Sequence, residues 1–303
     1  MVREMEEIKM KKLSPKAKKL TKYYTLKVVG LIILCVFALT TLFPYLYMVS
    51  NSFKSSDEIV KYSFTFYFIP KEFTLSNYTK IFEIIPLGKG FLNTLTVEAL
   101  VLLVGTSTTC IAAFAFSRVK FAGRRILFYV LLSGMMVPFV AVLVPQYNAY
   151  QQLGLFDSLW PLIIPGLFGN VGMLFFMKQY ADTIPNEIYE AAEIDGAGFF
   201  QTFTLIFLPL VKTAILVQVI FWFLGIWNDF FGPDIYLPSL DNKTLQIMIR
   251  YFGADPSGGG GGSLKDQPYV MAASVLSSIP TLVVYVCFQK HFVNTFVSTG
   301  VKG

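Results

Sequence analysis

Residues 28–53 read VVGLIILCVFALTTLFPYLYMVSNSF, a run of 26 residues that contains no Asp, Glu, Lys or Arg. A helix that crosses the hydrocarbon core of a bilayer needs about 20 mainly apolar residues. The run therefore predicts a transmembrane helix at about residues 28–50.

The composition of the whole chain agrees with that of a membrane protein. Of its 303 residues, 54% are hydrophobic and 15% are charged, and the mean hydropathy is +0.58. A soluble domain usually carries about 25% charged residues. These values exclude a disordered protein, a secreted disulfide-rich protein and an ordinary cytosolic enzyme, and they indicate several membrane spans.

Further charge-free windows locate the other spans. Residues 99–117, 126–156, 158–177 and 267–289 lack Asp, Glu, Lys and Arg, and the apolar segment 205–228 is interrupted only by Lys212. The long side chain of a lysine can reach the membrane surface from within a helix. The expected fold is an all-α polytopic membrane protein with six transmembrane helices, at about 28–50, 92–117, 126–148, 158–177, 205–227 and 269–289.

The placement of Lys and Arg predicts the orientation in the membrane. An even number of spans puts both termini on one side, and that side carries 17 of the 25 basic residues. Basic residues accumulate in cytoplasmic segments, so we expect both termini in the cytoplasm. The predicted parts are a basic N-terminal tail (1–27), a transmembrane domain (28–290) with external loops 51–91 and 228–268 and a cytoplasmic loop 178–203, and a C-terminal tail (291–303). The basic tail is expected to meet anionic lipid and not nucleic acid.

Patterns typical of catalysis or nucleotide binding are missing from the sequence, including a Walker A motif, a nucleophile elbow and HExxH. The glycine run Gly258–Gly262 is not followed by the Lys-Ser/Thr pair of a phosphate loop and reads as a flexible linker. Cys35, Cys110 and Cys287 lie in predicted spans and have no disulfide or metal spacing. We expect no catalytic residue, cofactor or metal in this chain.

The cytoplasmic loop 178–203 departs from the charge pattern, because it carries five acids on a side that is otherwise basic. Its residues predict a helix, a turn and a second helix. Pro185 suits a first helical position, and Glu187 in the first turn complements the positive end of the helix dipole. Gly196 is placed to end this helix, because glycine adopts a left-handed cap conformation without strain.

One side of this predicted helix is apolar, through Ile184, Ile188 and either Ala191 or Ala192 at three-to-four spacing. A solvated acidic loop between two spans is one interpretation. The alternative is a helix lodged in a groove of another protein, because small side chains permit a close approach of backbones. The small residues are Ala191, Ala192, Gly196, Ala197 and Gly198.

Residues 190–198, EAAEIDGAG, together with 206–210, IFLPL, resemble the EAA loop of bacterial ABC importer permeases in the form seen in carbohydrate importers. Other stretches resemble the smaller permease of maltose-type systems. They are residues 43–44, 52–54, 75–78, 91–94, 115–118, 227–230 and the terminal Gly-Val-Lys-Gly. The similarity covers the chain from about residue 28.

This resemblance implies a type I ABC importer permease fold in a bacterial plasma membrane. It also implies a second homologous permease, two ATPase subunits that bind ATP and Mg, and an extracytoplasmic solute-binding protein. The EAA loop would be the coupling helix, with Glu190 paired to a basic residue of the ATPase and Gly196 making the turn. The implied ATPase-coupling residues are Glu187, Glu190, Ala191, Ala192, Asp195, Gly196 and Ala197, and the implied tail contacts are Gly300, Val301, Lys302 and Gly303.

A sugar is bound through hydroxyl hydrogen bonds and stacking on aromatic rings. Candidate groups along such a path are Glu98, Gln146, Asn148, Asn170 and Gln218. Glu98 has a second interpretation as a hydrogen-bonded carboxyl group near the membrane interface. The sequence leaves two other function classes open, namely an ABC permease for an amino acid, polyamine or anion, and a membrane receptor or enzyme without an ATPase partner.

Overall fold

The computed structural model describes residues 15–253 and 262–300, with side chains at 19–253 and 262–289. Within these ranges the chain forms helices and connecting loops, without a β-strand. The helices are α1 (Pro15–Ser52), α2 (Ser56–Lys61), α3 (Ser76–Ile84), α4 (Leu87–Arg118), α5 (Arg124–Met136), α6 (Phe139–Gln152), α7 (Trp160–Leu167), α8 (Val171–Asp182), α9 (Asn186–Ile194), α10 (Phe199–Trp227), α11 (Phe231–Tyr236), α12 (Leu245–Gly253) and α13 (Gln267–Gly300).

Five helical segments of this part of the chain are long and apolar enough to cross a membrane. They are Lys19–Ser52 in α1, Leu87–Arg118, Trp160–Asp182 across α7 and α8, Phe199–Trp227, and Gln267–Gln289 in α13. Each overlaps one predicted span. The helix α1 begins at Pro15, so the first span continues into the basic segment that the sequence predicts as a tail.

The third predicted span, 126–148, is not one straight helix. The segments Arg124–Met136 and Phe139–Gln152 bend by 94° at their junction, and they make a sixth span only if the bent pair is counted as one. Val137 is extended, with ψ at 115°, and Pro138 follows as the cap of α6. A proline lacks the N–H that would continue the helix, and it disfavours the α conformation of the residue before it.

Glycines let α4 and α7 cross at close range. A Cβ atom built on Gly105 would lie 2.3 Å from the carbonyl oxygen of Gly166, and one built on Gly166 would lie 2.6 Å from the side chain of Val101. Thr108 stabilises the crossing, because its hydroxyl donates a hydrogen bond to the carbonyl oxygen of Leu167 at 2.9 Å. Small residues at helix crossings are typical of membrane proteins, where backbone approach replaces the hydrophobic driving force.

The end of the molecule that carries α9 has a core rich in phenylalanine, which we name the aromatic core. It joins the last turns of α4 to α8 and to the first half of α10. The Phe114 ring lies 5.3 Å from the Phe203 ring and 5.0 Å from the Phe207 ring, measured between centroids. Its buried members are Cys110, Ala113, Phe114, Phe116, Phe128, Leu174, Met177, Ala181, Phe207, Val211 and Ala214.

The opposite end is organised by buried polar contacts of the loop after α1. The side chain of Asn77 donates to the carbonyl oxygens of Ser52 and Lys54, each at 2.8 Å. The ammonium group of Lys54 is buried and donates to the carbonyl oxygen of Tyr67 at 2.8 Å. Burial lowers the pKa of Lys54, and the negative charge of Glu58 partly opposes this decrease. The predicted external loop 51–91 is therefore a folded element.

The glycine crossing predicts a difference between two glycines in spanning helices. In Gly105→Ala the new methyl group would meet the Gly166 carbonyl and the Trp222 ring, whereas a Cβ on Gly30 meets nothing within 4 Å. Overpacking costs about 1–3 kcal/mol. We expect Gly105→Ala to lower the thermal unfolding temperature in detergent, whereas Gly30→Ala should not lower it, because alanine is the better helix former. Equal unfolding temperatures for the two variants would contradict the close crossing.

Candidate functional site

The loop between α8 and α10 forms the predicted helix and turn. The helix α9 begins at Asn186, and Pro185 is its N-cap with φ −57° and ψ 140°. The prediction that Pro185 occupies the first helical position is therefore wrong by one residue. Glu187 lies in the first turn, where its carboxylate complements the positive end of the helix dipole.

The end of α9 has the backbone conformation that its glycine predicts. Gly196 has φ +82°, in the left-handed region. Its N–H donates to the carbonyl oxygen of Glu193 at 3.0 Å, and the N–H of Ala197 donates to the carbonyl oxygen of Ala192 at 2.9 Å. This pair of hydrogen bonds is the Schellman motif, which satisfies carbonyl groups at the end of a helix.

The two sides of α9 differ from the prediction. Ala192 is buried, and Ile184 and Tyr189 pack against the aromatic core. Ile188 is 40% exposed and Ile194 is 86% exposed, so the expected apolar side that included Ile184 and Ile188 does not exist as one buried face. Within α9 the inward residues are Tyr189 and Ala192, which lie about one helical turn apart. The residues around them point outward. The outward residues are Glu187, Ile188, Glu190, Ala191, Glu193, Ile194 and Asp195.

The small residues of the turn have different roles. A Cβ atom on Gly196 would meet nothing within 4 Å, so this glycine is required by its positive φ and not by a close approach within the chain. Gly198 has an ordinary φ of −70° and is the cap of the next helix. Ala191 is exposed.

Arg118, at the last position of α4, makes polar contacts with the segment that leads into α9. Its guanidinium group donates to the carbonyl oxygens of Ala181 and Ile184, the latter at 2.9 Å, and to the side-chain oxygen of Asn186. The guanidinium carbon also lies 4.2 Å from the centroid of the Tyr189 ring. Burial raises the pKa of Tyr189 and the positive charge of Arg118 opposes the rise. A neutral ring therefore faces the cation.

Sequence reasoning did not select Arg118 as a site residue. It assigned the arginine to a basic turn and to one of the stretches that carry the resemblance. The available signal was its position at the end of a span, next to a loop whose helix ends expose carbonyl groups. The sequence does not show which carbonyls an arginine reaches, because residues 118 and 181 meet only through the packing of α4 against α8.

The five candidate substrate-path residues do not form one lining. Glu98 and Gln218 are buried, and their side-chain oxygen and nitrogen atoms have no hydrogen-bond partner among the described residues. Gln146 donates to the Tyr150 hydroxyl at 3.0 Å. Asn148 is exposed. Asn170 caps α8, where its side-chain oxygen accepts from the N–H of Gly172 at 2.8 Å.

A cavity of about 310 Å³ lies near the end of the spans that is opposite α9, and none of the five candidates lines it. Its polar lining includes Thr94, Asp229 and Thr244, and its aromatic lining is Trp222. Burial raises the pKa of Asp229, while the N–H groups of Gly232 and Phe231 donate to its carboxylate and oppose the rise. Sequence reasoning did not select these residues for a site, although Thr94 and Asp229 lie in the stretches 91–94 and 227–230 that carry the resemblance.

Several predicted features fall at or beyond the edges of the described residues. The helix α13 extends to Gly300, so residues 291–300 of the predicted C-terminal tail continue this helix. Val301, Lys302 and Gly303 lie outside the described residues, as does the glycine run except for Gly262.

Residues 105–297 match the family model described as "Binding-protein-dependent transport system inner membrane component". The chain belongs to this family. It is a multi-pass inner-membrane permease component of a transport system, and the family is not catalytic.

Bacterial relatives resemble this permease over most of their length. Protein LplC of Bacillus subtilis (strain 168) is 31% identical over 274 residues, which are 87% of this permease and 90% of LplC. The diacetylchitobiose uptake system permease protein NgcG of Streptomyces coelicolor is 31% identical over 274 residues, with 88% and 86% covered.

A crystal structure shares the fold. It is that of a bacterial ABC transporter involved in the import of the acidic polysaccharide alginate, and the TM-score is 0.77 at 22% identity. The similarity covers 92% of this permease and 99% of that chain.

The positive φ of Gly196 predicts a difference from Gly198. A side chain at a left-handed position costs about 1 kcal/mol, whereas φ at Gly198 suits any residue. We expect Gly196→Ala to increase amide hydrogen exchange in α9 several-fold and Gly198→Ala to leave this exchange unchanged. The same exchange rate in both variants would show that the cap does not depend on glycine.

Proposed function

We propose that this permease is the transmembrane subunit of an ATP-driven importer for a sugar or oligosaccharide. The observation that carries the proposal is the outward face of α9. This face presents carboxylates and exposed isoleucines, while the opposite face is fixed to the spans by Ala192 and the contacts of Arg118. A rigid element with an exposed acidic and apolar surface suits a groove in another protein.

In the proposed assembly, α9 is the coupling helix at the cytoplasmic side. A second homologous permease, two ATPase subunits and an extracytoplasmic solute-binding protein complete the transporter. ATP and Mg bind to the ATPase subunits and not to this chain. The ATPase-coupling residues are Glu187, Glu190, Ala191, Ala192, Asp195, Gly196 and Ala197. Among them, Ala192 supports the helix from inside, because its side chain is buried in the permease itself.

Six spans with both termini in the cytoplasm fit this assembly. The bent pair α5 and α6 would count as the third span. The basic segment before residue 28 then lies on the cytoplasmic side, where Lys and Arg are favoured. In this proposal the C-terminal residues Gly300, Val301, Lys302 and Gly303 would lie on the same side and reach the ATPase subunits.

The mechanism that we propose is alternating access driven from the cytoplasmic side. Closure of the ATPase dimer on ATP moves α9 as a rigid body. The displacement passes into α8 and α10, which flank α9 in the chain. Such a transition is a rigid-body rearrangement about packed interfaces.

A carbohydrate substrate is supported by the transport functions of similar proteins, which are diacetylchitobiose uptake for NgcG and alginate import for the transporter that shares the fold. Within this chain, Glu98 and Gln218 are the strongest candidates for the path. A buried polar group without a partner costs about 1–3 kcal/mol, so its presence suggests a function that repays this cost. Gln146, Asn148 and Asn170 are weaker candidates, because two are exposed and two have local partners.

A charge reversal at Glu190 tests the proposal. In Glu190→Lys the exposed coupling face would repel a basic residue of the ATPase, so we expect co-purification of the ATPase subunits to fall at least about tenfold, which corresponds to about 1.4 kcal/mol. Membrane insertion should be unchanged. The matched control is Glu83→Lys, an exposed glutamate in α3. Normal co-purification and normal uptake by Glu190→Lys would reject the coupling assignment.

A further inference from the structure

We propose that Arg118 is a positioning residue that ties α4 to the coupling helix, so that movement of α9 reaches three spanning helices and not only the two that flank it in the chain. This inference rests on the proposed coupling function of α9. It assigns a mechanical role to one side chain of this permease.

The contacts of Arg118 bridge two helix ends. Ala181 and Ile184 lie at and just after the end of α8, where the carbonyl groups carry the negative end of the helix dipole. Asn186 is the first residue of α9. A guanidinium group has five N–H donors in a rigid plane, so it can hold several acceptors in a fixed arrangement. One side chain thus fixes the angle of the turn between α8 and α9.

The ring of Tyr189 adds a contact one turn further along α9. The guanidinium carbon lies 4.2 Å from its centroid, within the range of a cation–π interaction. Arg118 therefore contacts α9 at two positions, Asn186 and Tyr189, that lie three residues apart. Two contacts along the helix restrain its rotation as well as its position.

The anchor of this contact is rigid. Arg118 follows Ala113 and Phe114, which are both buried in the aromatic core. A cavity of about 320 Å³ lies beside the contact and is lined by Arg118, Tyr189, Phe114, Phe199 and other residues. Close packing is incomplete on this side of α9. The polar and cation–π contacts of Arg118 therefore add to the packing of Ala192 and Tyr189 and restrain the orientation of α9 relative to α4.

The experiment measures whether α9 and α4 move together. The native cysteines Cys35, Cys110 and Cys287 are replaced by alanine. Spin labels are placed at Glu193→Cys in α9, an exposed position that is not one of the proposed coupling residues, and at Ile111→Cys in α4, which is also exposed. The full transporter in lipid nanodiscs is studied without nucleotide and after trapping with MgATP and vanadate. Distance distributions between the two labels are compared for the unmodified arginine, Arg118→Ala, Arg118→Lys and the control Arg125→Ala. ATP hydrolysis and co-purification of the ATPase are measured on the same samples.

With Arg118 intact, the label distance should have the same narrow distribution in both states. Arg118→Ala should broaden the distribution about twofold or more in the trapped state, while assembly and ATP hydrolysis stay within about twofold, because the guanidinium contacts are lost but the outward face of α9 is kept. Arg118→Lys should give an intermediate width, since an ammonium group cannot hold several acceptors in a plane. Arg125→Ala should match the unmodified protein, because Arg125 contacts Tyr129 of its own helix.

An unchanged distribution in Arg118→Ala would overturn the proposal, as would equal broadening in Arg125→Ala. If Arg118→Ala does not assemble, Tyr189→Leu and Tyr189→Phe decide the question. Leucine removes the ring and should broaden the distribution, whereas phenylalanine keeps the ring and should not. Equal, narrow distributions in both would overturn the proposal. Failure of the unmodified chain to bind any ATPase would instead reject the proposed function.

Discussion

The contact between the Arg118 guanidinium and the turn from α8 to α9 is the constraint on which the end of the structure that carries α9 depends. A helix of nine residues is too short to be stable by itself. It is held by Ala192 and Tyr189 on its inner side, by the glycine cap at its end, and by Arg118 at its start. Because these contacts use only one face, the other face remains available for a partner.

The sequence predicts the spans well because their determinant is local. A run without charges reports the length of an apolar helix directly, and five predicted spans overlap five helices of sufficient length. The end of α9 is equally local, since a positive φ at Gly196 requires a glycine. A break inside a long apolar window is harder to predict. Hydropathy indicates one span within 126–156, but it contains no information on backbone geometry and so does not predict the break at Pro138.

The candidate site was predicted only in part, and the missing parts are those that depend on tertiary packing. Ala192 is buried and Ala191 is exposed because of the direction in which α9 approaches the aromatic core. The spacing of residues in the sequence does not give this direction. Arg118 meets its acceptors across more than 60 residues of sequence. Residue type alone supports the substrate candidates, and the structure separates them into buried groups, a helix cap and an exposed amide. Residue type is a weak guide when amides also serve to join helices.

The proposed mechanism requires that α9 lies at the cytoplasmic surface with its outer face against an ATPase. The most direct measurement is the reaction of Ile194→Cys, in a background without the native cysteines, with a maleimide that does not cross membranes. We predict labelling in inside-out vesicles stripped of the ATPase, protection from labelling when the ATPase is bound, and no labelling in intact cells. Labelling of the same cysteine from the outside of intact cells would contradict the account.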